Sequence, residues 1–177
     1  MSLFLLSLLL FTSVGAITST GAYNETTQTQ ITKACKTTPH YDLCFTTLIS
    51  DPRSPGSDLE TLSSLAIDHA NSTGADLSSF FLAFSNATYT RRGPHFDLAL
   101  NDCYDEYMYT SADFDWIFGS MLTREYRDAV RRLDSEAGVT KDCERRFAGR
   151  GVAFPEELRV RSRPFIEICE VAAALNS

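Results

Sequence analysis

Four of the five cysteines in this chain divide by spacing into a near pair, Cys35 and Cys44, and a distant pair, Cys103 and Cys143, while Cys169 stands apart in the run Phe165-Ile-Glu-Ile-Cys-Glu-Val-Ala172. Five cysteines allow fifteen ways of forming two bridges. The near spacing suits a staple inside a small hairpin, and the distant spacing suits a clamp between two neighbouring long elements, so the pairing Cys35–Cys44 and Cys103–Cys143 is expected. Cys169 is then left reduced and packed.

Disulfides require an oxidising route, and residues 1–16 read as a secretory signal: an apolar run from Leu3 to Phe11 followed by the small residues around Ala16. A second cleavage point follows Ala22. The run is too short to cross about 30 Å of hydrocarbon, and no later stretch approaches the roughly 20 apolar residues of a membrane span, so no membrane association is expected after cleavage. Asn24, Asn71 and Asn86 each open an Asn-x-Thr/Ser sequon, which agrees with secretion and makes them glycosylation candidates. The signal implies entry to the secretory route.

The formal charge is −7, and the first charged side chain is Glu25, so cleavage leaves it unchanged. An acidic chain of this kind argues against nucleic acid as a partner. About 155 to 160 residues remain, enough for one domain with its own core, taken here as residues 17–177.

Apolar periodicity predicts the class. Phe96, Leu100, Cys103, Tyr107, Thr110, Phe114, Ile117 and Met121 trace one helical stripe. Tyr126, Val130, Leu133, Ala137 and Phe147 trace another, with Cys143 on its edge. Upstream, a face from Leu62 to Phe84 predicts a helix over about 57–88, interrupted in propensity by Gly74. Phe165, Ile168, Cys169, Ala172 and Leu175 give the last helix, with Pro164 expected in its first turn. Four such helices with short breaks imply an all-α, antiparallel four-helix bundle over about 57–177. Ahead of it, residues 26–54, broken at Pro39 and closed by the Pro- and Gly-containing stretch 51–57, read as a short helical hairpin.

These residues resemble the plant invertase and pectin methylesterase inhibitors. The resemblance is carried by Ile31-Thr-Lys-Ala-Cys35, Thr38, Tyr41, Cys44 and Leu48 in the hairpin. It continues through Leu98 to Leu100, Cys103, Tyr107, Val130, Leu133, Cys143 and Phe147, and ends on Phe165, Cys169 and Ala172 to Leu175. It implies a disulfide-stapled hairpin on a four-helix bundle, the same two bridges, a free Cys169, and a secreted protein that occludes the active site of an enzyme. Within that resemblance a plant acid invertase is the favoured target and a pectin methylesterase the alternative. Invertase inhibitors of the family carry a Pro-Lys-Phe tripeptide that enters the acidic active site, and this chain has Pro94-His95-Phe96 at that place. The resemblance implies that His95 supplies the cation and Phe96 the apolar anchor. Imidazole titrates near 6.5, so a contact through His95 is expected to weaken as pH rises from mild acid towards about 8. Taken as residues alone, Pro94 also suits a first helical position, and Phe96 also begins the core stripe.

No catalytic residues, metal site or cofactor are expected. A Gly-x-Ser-x-Gly elbow, a His-Glu-x-x-His zinc site, a Cys-x-x-Cys pair and a phosphate-binding glycine loop are all missing. His40 with Cys44, His69 with Asp68, and Asp113 with Asp115 form no persuasive catalytic constellation, and the alternating Arg and Asp/Glu residues between 124 and 150, Glu136 among them, read as ordinary helix surface. Trp116 is expected in the core. A helical bundle that binds a small apolar ligand is the least favoured reading. The near bridge is expected to matter more for binding than for folding of the bundle.

Overall fold

The computed structural model describes residues 25–88 and 92–177. Among these, every regular element is helical: α1 Glu25–Cys35, α2 Tyr41–Ser50, α3 Leu59–Thr88, α4 Pro94–Asp102, α5 Tyr104–Met108, α6 Thr110–Leu122, α7 Tyr126–Gly149 and α8 Glu156–Leu175. The signal region 1–16, the alternative cleavage point after Ala22, and Asn24 lie outside the described residues.

α3, the segmented arm α4–α6, α7 and α8 run alternately up and down, as short connections between packed neighbours require. α8 packs against both α3 and α7, and α6 closes the ring against α3 and α7. α1 and α2 form the hairpin, joined by Cys35–Cys44 and seated against the first turns of α3 and the last turns of α8. The core is continuous through both parts, from Ile31 and Leu48 of the hairpin to Phe81, Phe114, Leu133, Phe147 and Phe165 of the bundle.

Local chemistry sets the junctions. Asp58 caps α3, its Oδ1 accepting the Thr61 N–H at 2.8 Å. Asp51 organises the turn between hairpin and bundle: its carboxylate accepts the Arg53 N–H at 2.8 Å and the guanidinium at 3.0 and 2.7 Å, and His69 of α3 donates to it at 3.2 Å. Ser54 donates to the Leu48 carbonyl at 2.5 Å, and His40 places Nε2 2.5 Å from Oε2 of Glu170, tying the hairpin to α8.

Gly74 does not interrupt α3. A Cβ there would lie 2.7 Å from Thr110 Cγ2 and 2.9 Å from Phe165 Cε2, so the glycine allows α6 and α8 to approach. Tyr107 stacks on Phe81 at 4.5 Å and places its hydroxyl 3.2 Å from Thr140 and 3.1 Å from Ser162. Ser162 spends its own hydrogen on the Leu158 carbonyl, so Tyr107 donates to Ser162 and accepts from Thr140.

Four expectations are corrected. The stretch 96–121 is three helices, not one, with breaks at Cys103 and Tyr109. Both keep near-helical angles (φ −93°, ψ −7°; φ −94°, ψ 0°), so the buried stripe keeps its phase while the backbone ladder is interrupted. Pro164 sits inside α8, not in its first turn; it and Val160, whose carbonyl loses its donor, are exposed, which leaves that carbonyl to solvent. Trp116 is 64% exposed, its ring covered by the Arg132 guanidinium at 5.2 Å. Glu136 is buried, not on the surface.

Candidate enzyme-contact surface

Pro94, His95 and Phe96 begin α4 at the end of the bundle where α3 finishes and α8 starts. Gly93 adopts φ +93°, a conformation that favours glycine, and its carbonyl accepts the Phe96 and Asp97 N–H groups, each at 3.1 Å. Pro94 fits the first helical position, where no N–H is needed. Pro94 and His95 are exposed. Phe96 is 4% exposed and packs edge-on against Phe147 at 5.4 Å, which itself meets Phe154 edge-on at 5.3 Å. The tripeptide is therefore divided: two residues face outward, and the third pins them to the core.

Arg92 adds a cation beside them. Its guanidinium lies 5.2 Å from the Phe96 ring centroid and 5.8 Å from that of Phe84, with Nη2 3.6 Å from Oε1 of Glu157. Behind this surface, Arg150 donates to Asp102 through Nε at 2.6 Å, Arg146 pairs with Glu106, and Arg159 reaches Glu144 at 2.9 Å and covers Phe154 at 5.4 Å. These pairs absorb much of the acidity of α4 and α5. Cys103 and Cys143 are bonded there, joining the α4–α5 break to α7.

The hairpin is at the other end. The hairpin and the turn after it reach along α3 as far as Asp68 and His69, and α3 runs on from there to Thr88, about 30 Å at 1.5 Å per residue, before the tripeptide is reached. Cys103–Cys143 is the bridge at the tripeptide end, and Cys35–Cys44 lies at the hairpin end.

Other candidate residues fall elsewhere. Cys169 carries a free, buried thiol whose ionisation is pushed far up by burial and then by the charge of Glu136. His40 faces Glu170 and His69 faces Asp51, so neither addresses a nucleophile. Asn71 is half-buried and Asn86 exposed on α3. No group of three His, Cys, Asp or Glu residues suited to a metal occurs among the described residues, and none of their helices is long and apolar enough to cross a membrane. Sequence reasoning missed Arg92, whose value lies in two rings brought to it from different helices, and Glu136, whose charge masks its place in the α7 stripe.

The family model described as plant invertase/pectin methylesterase inhibitor matches residues 29–175. The chain belongs to that family. It is a family of enzyme inhibitors, not of enzymes. Over 172 residues the chain is 27% identical to the cell wall / vacuolar inhibitor of fructosidase 2 of Arabidopsis thaliana, covering 97% of this chain and 94% of that protein. The fold is similar to that of a mutant form A of a pectin methylesterase inhibitor from Arabidopsis, with a TM-score of 0.65 at 14% identity over 83% of this chain and 95% of that one. A second crystal structure, of a pectin methylesterase inhibitor from Arabidopsis thaliana, gives a TM-score of 0.56 at 13% identity over 84% and 94%. At these identities the two structures speak for the fold alone.

Proposed function

We propose that this protein is a secreted inhibitor of a plant acid invertase, a β-fructofuranosidase, and that it acts by steric occlusion with the Pro94–Phe96 end of the bundle inserted at the mouth of the active site. The reading is supported most by the presentation of Pro94 and His95 on a helix start that Phe96 and Gly93 hold rigid, in a chain similar over nearly its whole length to a named fructosidase inhibitor. Rigid presentation lowers the ordering cost of binding. Glycoside hydrolysis uses paired carboxylates, so the entrance of such an enzyme favours an approaching cation. Residues 1–16 act as the signal, residues 17–177 form the inhibitor, and Asn24, Asn71 and Asn86 are its glycosylation candidates. The working compartment is the cell wall, with the vacuole as the alternative.

The test is titration of an acid invertase and of a pectin methylesterase at about pH 5 with the purified, oxidised protein and a His95→Ala variant. Loss of invertase activity, relieved by the substitution, is the expected result. Loss of pectin methylesterase activity alone would replace this reading with the other branch of the family.

A further inference from the structure

We propose that Arg92 is a specificity-determining contact of the inhibitor: a preoriented guanidinium that a carboxylate of the target's active site captures by displacing Glu157. The inference rests on the invertase reading above and names the group within that surface that recognises the enzyme. Phe84 at the end of α3 and Phe96 in the first turn of α4 hold the guanidinium at 5.8 and 5.2 Å, in the range where a cation is attracted to a ring face. The side chain is nevertheless 44% exposed, so the rings fix the cation without enclosing it.

The internal partner is weakly engaged. Nη2 of Arg92 and Oε1 of Glu157 are 3.6 Å apart, beyond a hydrogen bond, and the Glu157 side chain is 56% exposed. An exposed pair at this separation contributes little to stability. A guanidinium presents a planar fork of N–H donors matched to a carboxylate, which an incoming carboxylate can use in full. Glu157 thus competes with the enzyme for the same donors while also repelling an acidic entrance. His95 is exposed in the first turn of α4, three residues on from Arg92.

The experiment compares the parent protein with Arg92→Met, Glu157→Gln, the double variant and His95→Ala. Each is assayed for inhibition of an acid invertase and for association rate at increasing NaCl, with thermal unfolding as the folding control. Methionine keeps an unbranched stem able to lie on the rings but removes the charge. Arg92→Met is expected to weaken inhibition on the order of tenfold and to flatten the salt dependence of association. Glu157→Gln is expected to strengthen inhibition several-fold, and that gain should shrink when Arg92 is already Met. A brace between the start of α4 and α8 would instead make Glu157→Gln weaken inhibition, as Arg92→Met does, with the salt dependence unmoved, and that result overturns the proposal. Inhibition by the parent that responds to His95→Ala but not to Arg92→Met overturns it while leaving the invertase reading intact. A parent protein that leaves the invertase untouched overturns both.

Discussion

The carboxyl of Glu136 on α7 is buried against Asp113 on α6, with its Oε2 lacking any hydrogen-bond partner among the described residues. Burial, followed by the charge of Asp113, raises its pKa from 4.5 to about 8. The folded state therefore keeps a proton that the unfolded chain gives up near 4.5. Stability from this site is fully present below about 4.5, declines as pH rises, and is gone once pH passes about 8.

Glu136→Gln should accordingly flatten the dependence of stability on pH. At roughly 1.4 kcal/mol per unit of pKa difference, the parent stands to lose a few kcal/mol across this window. Denaturant unfolding from pH 5 to 9 checks this: the parent should weaken steeply and the variant much less. Parallel curves would show that the Glu136 proton is not the cause.

Asp51 has the opposite sign. The hydrogen bonds and charge of Arg53, helped by His69, lower its pKa from 3.8 to about 2 despite burial. Its contribution is present above about 3.8 and lost as pH falls through about 2. Asp51→Asn should loosen the hairpin against the bundle by about 1.5 to 3 kcal/mol, the range for hydrogen bonds to a charged group. Hydrogen exchange should quicken in α1 and α2 before it does in α7.

The two bridges should separate by function. Replacing Cys103 and Cys143 with serine is expected to weaken inhibition and to cost about 2 to 4 kcal/mol of bundle stability. The same replacement at Cys35 and Cys44 should loosen the hairpin while inhibition through the tripeptide end persists. Titration of invertase with each double variant, alongside thermal unfolding, reads both effects; the reverse order of inhibition would place the contact at the hairpin.

Gly74→Ala offers a test of packing against propensity. Alanine gains up to about 1 kcal/mol as a helix former. Its Cβ would collide with Thr110 and Phe165, and overpacking of that kind costs about 1 to 3 kcal/mol. A lower unfolding midpoint is expected, and a higher one would show that α6 and α8 can give way.

The bundle was legible because its stripes are apolar and regular. Every member of the Phe96 to Met121 stripe is buried, and so is every member of the Phe165 to Leu175 stripe. The breaks at Cys103 and Tyr109 were hidden because near-helical backbone angles leave side-chain phase intact. The start of α8 was missed because its inward positions include Ser162, whose burial is satisfied by Tyr107 and the Leu158 carbonyl. Charge misled at Glu136, and aromatic size misled at Trp116, where Arg132 shields a ring left outside. At the candidate surface, Pro94 and His95 were readable as a motif. Phe96 was readable as the start of the core stripe, whereas the seating of Arg92 depends on rings from α3 and α4 together, which local spacing cannot report.

The distance between the stapled hairpin and the tripeptide also bears on how such a chain can diversify. Substitutions among residues 92–96 and in the connection before α8 carry little packing penalty for the hairpin, because about two thirds of the length of α3 lies between them. Recognition can be retuned at one pole while the opposite pole, with its own staple and its own carboxylate-centred turn, is inherited unchanged.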